Sequence, residues 1–370
     1  MHIPDNYLSV STCAVLTIAT APVWVHSVKK VARDFPRERF SALGVAAAFS
    51  FLAMMFNVPL PGGTTGHAVG GTVLAVLLGP EATCLALTIA LLIQAALFGD
   101  GGILALGANC FNMAFLLPFG GYFSFLLLRK FFGILTKKTS KDGLSLSEIL
   151  AIGVASFVGL NLAALAAAIE FGIQPLLFTD SAGQALYCPY PLAVSLPAMA
   201  IGHLTLFGAA EVVFSVVVYA FVRKASPDFA VNSSIFAFDA NTNWTSIQED
   251  DAVNNCGKKR APRFGAVYLL LAILIACVPL GLVAEGTAWG EWGPDEIAEV
   301  ENNGKALGYT PKGMTDGFQW TAALPDYTAA GLPDWGAYIL CAIAGVAISI
   351  VGVKLLSAFG DNDAHEPEFQ

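Results

Sequence analysis

Long apolar runs recur along the entire chain, and they constrain its fold more than any other feature. A helix that crosses the ~30 Å hydrocarbon core of a bilayer needs ~20 mainly apolar residues. Runs that meet this length cover residues 8–28, 40–58, 81–99, 109–128, 147–169, 191–222, 264–284 and 335–353. The run at 191–222 exceeds one span, and Pro197, Gly202 and Gly208 predict a bend within it.

One further apolar run, residues 67–79, is too short to cross a membrane. As a helix, its thirteen residues extend only ~20 Å. The preceding loop is rich in proline and glycine, and it must enter the protein at membrane depth, where irregular backbone is tolerated only if it is buried or lines a cavity. We therefore predict an all-α, polytopic transmembrane bundle with a core of about seven helices and two appended transmembrane helices.

The composition excludes an ordinary soluble domain. Hydrophobic residues make up 56% of the chain and charged residues only 13%, whereas soluble domains carry about 25% charged residues. The net charge of −9 does not indicate a nucleic-acid partner, since such a partner calls for a basic surface. We expect membrane lipid around the protein and no nucleic acid bound to it.

The lysine and arginine residues predict which side of the membrane the N-terminus faces. If it lies outside, five basic residues follow the first span on the cytoplasmic side, five follow the fifth and six lie after the seventh. Lys354 also lies on the cytoplasmic side, so only Lys305 and Lys312 lie outside. Because cytoplasmic loops carry an excess of lysine and arginine, we predict an N-terminus outside the cell.

A polar stretch divides the chain into two parts. Residues 225–262 are rich in asparagine, aspartate and serine, which is typical of a linker, here a cytoplasmic one. They separate a membrane core, residues 1–224, from a two-helix region, residues 263–370. The loop at 285–334 has nine acidic residues and two lysines, a net charge of about −7. It could concentrate divalent cations, help to seat the N-terminus, or be an ordinary solvated acidic loop.

Met1 and His2 offer a metal ion three nitrogens from one end of the chain. These are the α-amine of Met1, the backbone nitrogen of His2 after it loses its proton, and an imidazole nitrogen of His2. A near-planar set of nitrogen ligands suits Ni(II) and Cu(II), with Co(II) acceptable and Zn(II) less suited. The amine must be free, and we expect the bulk of His2 to prevent removal of Met1. The alternative is an ordinary flexible terminus.

A second histidine lies beside the short apolar run. His67 follows a glycine-rich loop that allows tight turns, and a helix that begins there would point the imidazole toward the N-terminus. The His67 imidazole would complete a plane of four nitrogen ligands with those of Met1 and His2. Burying an ionisable residue at membrane depth is costly, so such a residue is expected to have a function. Alternatively, this imidazole could be satisfied by hydrogen bonds to backbone carbonyl groups. His203 and Glu211 lie two helical turns apart, as either a structural polar pair or an alternative metal site.

Three motifs carry a family resemblance. Residues 1–5 read Met-His-Ile-Pro-Asp, residues 66–71 read Gly-His-Ala-Val-Gly-Gly, and residues 94–109 contain Phe-Gly-Asp-Gly-Gly and Leu-Gly-Ala-Asn. Together they resemble the CbiM/NikM family, the substrate-binding components of energy-coupling factor transporters for cobalt and nickel. The resemblance covers residues 1–224. More loosely, residues 263–370 resemble the two-helix companion CbiN/NikN or the related PDGLE-type extension.

The resemblance implies that Met1, His2 and His67 hold the metal through the amine, the His2 amide and imidazole nitrogens, and the His67 imidazole. Family members often have histidine where this chain has Asp100. Asp100 then either accepts a hydrogen bond from a ligand histidine or caps the next helix. Two more residues either tie this turn to the site or start a helix: Asn109 and Asn112.

The resemblance also implies a transport component rather than an enzyme. Ni(II) or Co(II) would be its transported substrate, captured outside a prokaryotic cell membrane. The sequence has no G-x-x-x-x-G-K-[ST] motif for ATP, so the implied partners are a transmembrane coupling (T) component and cytoplasmic ATPases. Two other classes stay open. An ion-coupled secondary divalent-metal carrier would need no ATPase, and a membrane metalloenzyme would have Asp100 as its one candidate acid or base.

Overall fold

The structure is a computed structural model, and it describes residues 1–35, 40–60, 64–135, 145–225, 265–283, 289–302 and 305–362. The predicted linker, residues 225–262, lies outside these ranges except for its first residue.

The protein is a helical bundle with two small hairpins. Within the described residues, seven helices are long and apolar enough to cross a membrane, and Phe40–Met55 is a shorter apolar helix. The labelled helices and strands in chain order are α1 (Val10–Asp34), α2 (Phe40–Met55), β1 (Asn57–Leu60), β2 (Thr64–His67), α3 (Gly71–Leu78), α4 (Pro80–Ile93), α5 (Leu106–Asn109), α6 (Leu117–Leu135), α7 (Leu146–Gly172), α8 (Gln174–Leu177), α9 (Leu192–Leu204), α10 (Leu206–Ala225), α11 (Gly265–Cys277), β3 (Glu301–Asn302), β4 (Lys305–Ala306) and α12 (Asp334–Asn362). A single helical turn, Lys312–Thr315, lies between β4 and α12. The predicted membrane bundle is confirmed.

The ends of several helices follow directly from their sequences. Ser9 caps α1, since its hydroxyl oxygen accepts a hydrogen bond from the Thr12 N–H at 3.1 Å. Helix α7 begins at a capping box formed by Ser145 and Glu148. The long run at 191–222 is broken at Thr205, between α9 and α10, so the predicted bend is present.

Helix α2 is the centre of the bundle. Its residues from Ala42 to Met55 are all buried, because α4, α11 and α12 pack around it. Gly44 allows the α12 backbone to approach closely at Ile350. Tyr338 of α12 donates a hydrogen bond to the Met55 carbonyl group at 3.2 Å. The two C-terminal helices are therefore packed against the core.

The segment between α2 and α3 forms a β-hairpin that the sequence does not predict. Strand β1 pairs antiparallel with β2, and Asn57 lies opposite His67. The second apolar helix therefore ends at Met55 instead of residue 58, and the short helix begins at Gly71 instead of His67. Proline and glycine break the helix here, and the hairpin supplies partners for backbone groups that would otherwise be buried without them.

Two π-helical segments lie on either side of the loop that carries Asp100. Helix α4 continues as Gln94–Phe98 and stops at Gly99, which has a φ of +70°. Helix α5 continues into α6 through Cys110–Leu116. Single-turn π segments inside helices frequently occur at functional sites. The loop between them, residues 99–105, contacts the N-terminus.

The loop between α11 and α12 covers the end of the bundle that holds the N-terminus. Trp289 packs edge-on against Phe171, with ring centroids 5.6 Å apart. The Gly313 N–H donates to the Leu186 carbonyl group at 2.7 Å. We refer to the described residues of 289–333 as the cap loop.

Candidate metal centre

The first residues of the chain are held by the loop at 99–105. The Ile3 N–H donates to Asn109 Oδ1 at 2.8 Å, and Asn109 Nδ2 donates to the Ile3 carbonyl group at 3.0 Å. The Gly102 N–H donates to the same carbonyl group at 2.9 Å. Asp5 accepts hydrogen bonds from two successive backbone N–H groups of the loop, at 3.0 and 2.7 Å. A side chain at Gly102 would overlap Asp5, so the close approach requires glycine.

The cap loop holds the same segment from the other side. Asn6 exchanges two hydrogen bonds with the backbone of Phe318, at 2.8 and 2.9 Å. It has a φ of +68°, a conformation that asparagine adopts more readily than most residues. The Tyr7 hydroxyl donates to the Trp292 carbonyl group at 2.8 Å. The terminal segment is thus enclosed between two loops, and the cap loop does help to seat the N-terminus.

The imidazoles of His2 and His67 face each other inside the protein. His2 Nδ1 lies 3.2 Å from His67 Nε2, and both side chains are buried. Asp100 Oδ1 lies 3.1 Å from the same His2 Nδ1. Among the described residues, neither His2 Nε2 nor the His2 backbone N–H has a hydrogen-bond partner. Asp100 therefore contacts the nitrogen that faces His67, and not the far nitrogen of the ring.

Glu211 positions the turn that follows His67. Its carboxylate accepts hydrogen bonds from the Val69 N–H at 2.8 Å and the Gly70 N–H at 3.1 Å. Ser50 donates to the Val69 carbonyl group at 2.6 Å. Gly70 has a φ of +70°, which glycine adopts without strain. Helix α10 thus fixes the backbone only a few residues from the His67 imidazole.

The α-amine of Met1 is buried beneath the cap loop, where Glu291 Oε1 lies 3.5 Å from it. Burial lowers the pKa of His2, Asp100 raises it, and the positive amine lowers it. Burial and then the amine lower the pKa of His67 well below its ordinary value. Both imidazoles are therefore neutral near pH 7 and can each offer a nitrogen lone pair.

Two of the residues singled out in the sequence make their hydrogen bonds to groups other than His2 and His67. His203 Nδ1 contacts the Met199 carbonyl group at 2.8 Å, whereas Glu211 is occupied by the turn after β2. His203 and Glu211 therefore have separate hydrogen-bond partners, so they do not form the polar pair that the sequence allows as one alternative. Asn112 donates to Glu170 Oε2 at 2.8 Å, because the π segment turns its side chain toward α7. Of the two asparagines, only the one at position 109 ties the turn to the N-terminus.

Three residues at the centre were not predicted from the sequence: Gln94, Glu291 and Tyr327. Gln94 and Tyr327 both donate hydrogen bonds to Asp100 Oδ2. Glu291 is one of nine acidic residues in its loop, and nothing near it in the sequence separates it from the others. The strong negative charge of this loop was the one available signal, and it pointed to the loop without identifying a residue.

The fold and these contacts define a multi-pass membrane protein whose buried, nitrogen-rich centre is built on its own N-terminus. The family model for CbiM, the cobalt uptake substrate-specific transmembrane region, matches residues 2–229, and the model for the PDGLE domain matches residues 263–359. The chain belongs to the CbiM family, and its C-terminal region is of the PDGLE type. The resemblance identified in the sequence is confirmed.

Known proteins match both the whole chain and its core. The probable fused nickel transport protein LarMN of Lactiplantibacillus plantarum is 43% identical over 367 residues, which is 99% of this chain and 100% of that protein. The fused nickel transport protein NikMN of Rhodobacter capsulatus is 40% identical and covers 96% of each chain. A crystal structure of a transition metal transporter is 46% identical with a TM-score of 0.55, and it covers 65% of this chain and 100% of the solved one. This chain is a transport component of the CbiM/NikM type.

Proposed function

We propose that this chain is the substrate-specific membrane component of an ATP-driven energy-coupling factor importer, and that it captures extracytoplasmic Ni(II) or Co(II). Its partners are a transmembrane coupling component and cytoplasmic ATPases in a prokaryotic cell membrane. Two relatives that match it over nearly their full length are named nickel transport proteins, and the family description is of cobalt uptake. The observation that carries the proposal is the approach of His2 Nδ1 to His67 Nε2 beneath the same loop as the buried amine.

Met1, His2 and His67 would hold the transported ion. Two ligand atoms that lie ~2.0–2.1 Å from one metal at a right angle are ~2.9 Å apart, close to the 3.2 Å between the two imidazole nitrogens. The amine and the His2 backbone nitrogen come from adjacent positions of the same chain end, so they close chelate rings with the His2 imidazole. Nitrogen donors of this kind favour Ni(II), Co(II) and Cu(II) over Mg(II) and Ca(II).

The distribution of positive charge supports entry from the extracytoplasmic side. At the end of the bundle away from the N-terminus, Lys30 pairs with Glu81 at 2.7 Å, and Arg129 and Arg223 approach Glu148 at 3.8 and 3.7 Å. Loops rich in lysine and arginine face the cytoplasm. This orientation leaves the N-terminal centre at the outer face, where a metal ion arrives.

Uptake of radioactive nickel into proteoliposomes tests the proposed function. The full chain is reconstituted with the coupling component and ATPases that purify with it, and ATP is supplied on the side of the ATPases. We expect uptake that requires ATP hydrolysis and stops with a non-hydrolysable analogue. Uptake driven by an ion gradient in the absence of ATP would contradict the proposal and favour a secondary carrier.

Metal binding at pH 7 is expected to release about two protons per ion. The pKa of both His2 and His67 is lowered, chiefly by burial, so each imidazole can bind the ion through its unprotonated nitrogen without losing a proton. The ammonium group paired with Glu291 and the His2 backbone amide each lose one. Affinity therefore falls as the pH falls. Calorimetry in buffers of different ionisation enthalpy measures the number of protons released, and release of only about one proton would exclude one of these two ligands.

A further inference from the structure

The second part of the cap loop, residues 318–333, is much less charged than the first. Its sequence holds a single charged residue, Asp326. Five acidic residues lie within residues 289–302 of the first part: Glu291, Asp295, Glu296, Glu299 and Glu301. Because moving a charge out of water is costly, the first part belongs in water, whereas the second part can lie against lipid at little cost.

This second part lies across the end of α4. Ala96 and Leu97 belong to its last turn, where helical carbonyl groups lack a partner within the helix. The Trp320 indole N–H donates to the Ala96 carbonyl group at 3.1 Å, and the Leu324 N–H donates to the Leu97 carbonyl group at 2.9 Å. Leu92, one turn before Ala96, is 46% exposed on a membrane-spanning helix. Trp320 is therefore fixed at the end of α4, close to the lipid-facing side.

The ends of α4 and α12 lie at the same level in the bundle. The ring of Tyr327 stacks on Phe98, the last residue of the first span, with centroids 4.9 Å apart, and it meets the edge of Tyr338 near the start of α12 at 5.3 Å. The two spans, Pro80–Phe98 and Asp334–Leu355, have 19 and 22 residues. They extend ~28 and ~33 Å, close to the ~30 Å of the hydrocarbon core. Their joined ends therefore lie where the hydrocarbon meets the headgroups.

Large apolar side chains are exposed at this boundary. Trp320 is 52% exposed, Leu332 46% and Trp335, in the first turn of α12, 60%. Tryptophan side chains are highly buried on average, so two that are more than half exposed need a partner. Tryptophan is enriched where membrane meets water, because its ring is apolar and its N–H is polar. The low charge, the depth and the exposure of these residues all fit the headgroup region of a bilayer.

We infer that Trp320, Leu332 and Trp335 insert into the headgroup region of the bilayer on the N-terminal side, so that phospholipid anchors the cap loop. The anchor lies two residues from Phe318, whose backbone exchanges two hydrogen bonds with Asn6. The bilayer surface therefore helps to hold the cap loop over the N-terminal segment. The inference requires only that the protein spans a membrane, so it does not depend on which metal is transported.

Quenching of tryptophan fluorescence by brominated phospholipid tests this inference on the full chain in phosphatidylcholine vesicles, whose zwitterionic headgroups do not repel the acidic loop. The chain has six tryptophans, so the difference between the unmodified protein and Trp320→Phe or Trp335→Phe isolates the emission of one indole. We expect both indoles to be quenched strongly when bromine is near the glycerol end of the acyl chains and more weakly when it is near their tips. Aqueous iodide should quench them little.

Trp289→Phe is the matched control, because this indole belongs to the same loop but packs against Phe171 and Tyr190 with ring centroids 5.6 and 5.3 Å away. Its emission should be quenched by neither brominated lipid. Strong quenching of Trp320 and Trp335 by iodide, without quenching by brominated lipid, would show that the loop lies in water and would overturn the inference. Protection of both indoles from iodide and from lipid would show that a protein covers them, and it would overturn the inference as well.

Discussion

Replacing His67 by alanine is expected to weaken Ni(II) binding by more than ~100-fold. The substitution removes the imidazole nitrogen that lies 3.2 Å from His2 Nδ1, and it leaves only the nitrogens of the chain end to bind the ion. Losing a partner that merely orients a ligand costs ~10–100-fold in metal affinity, so losing a ligand should cost more. Titration of the purified protein with Ni(II) and with Co(II) measures the change.

His203→Ala provides a matched control for this substitution. His203 is also a buried histidine, but it contacts the Met199 carbonyl group and the ring of Phe207. Its replacement should lower the thermal stability of the protein without removing a metal ligand. Equal loss of Ni(II) affinity in the His67 and His203 variants would show that the effect comes from general destabilisation.

Of the substitutions proposed, Glu211→Ala is expected to lower the stability of the protein most. It leaves the buried N–H groups of Val69 and Gly70 without their acceptor, and each unsatisfied group costs about 1–3 kcal/mol. The turn that follows His67 should loosen, because Glu211 is what ties it to α10. We therefore expect a lower unfolding temperature in detergent together with weaker Ni(II) binding.

Glu211→Gln separates this explanation from a simple loss of charge. Glutamine keeps one acceptor oxygen in a side chain of the same length, and that oxygen can replace Oε2, which accepts from both N–H groups, but not Oε1, which gives Gly70 its shorter hydrogen bond. Its unfolding temperature should lie between those of the unmodified protein and Glu211→Ala. If glutamine and alanine lower the unfolding temperature equally, the hydrogen bonds to the turn are not what Glu211 contributes.

The helical bundle could be predicted because the thickness of a bilayer fixes how long an apolar run must be. By the same rule, the run at 67–79 could be recognised as too short to cross the membrane. The hairpin that precedes it could not be predicted. Its strands are four residues each, and their pairing depends on enclosure by α2, α10 and the 3₁₀ turn Val278–Val283 that follows α11, rather than on an alternating pattern. For this reason the sequence predicts a helix start at His67, whereas the structure has the end of β2 there.

The candidate ligands could be predicted from coordination chemistry, since Met1 and His2 combine an amine, an amide and an imidazole within two residues. The residues that surround these ligands could not be predicted. Asp100 and Tyr327 are 227 positions apart in the chain, and no local pattern relates them. Glu291 lies in an acidic loop of ordinary appearance, and only the packing of that loop on the N-terminus brings it within 3.5 Å of the amine.

The most direct test of the proposed centre is to add one residue before Met1 and compare Ni(II) binding with that of the unmodified N-terminus. The extension moves the free amine away from His2 but leaves the His2 and His67 side chains in the sequence. We predict that Ni(II) binding is lost, because the amine and the chelate rings it closes are lost with it. Binding of equal strength in both proteins would contradict the proposal that the N-terminus holds the metal.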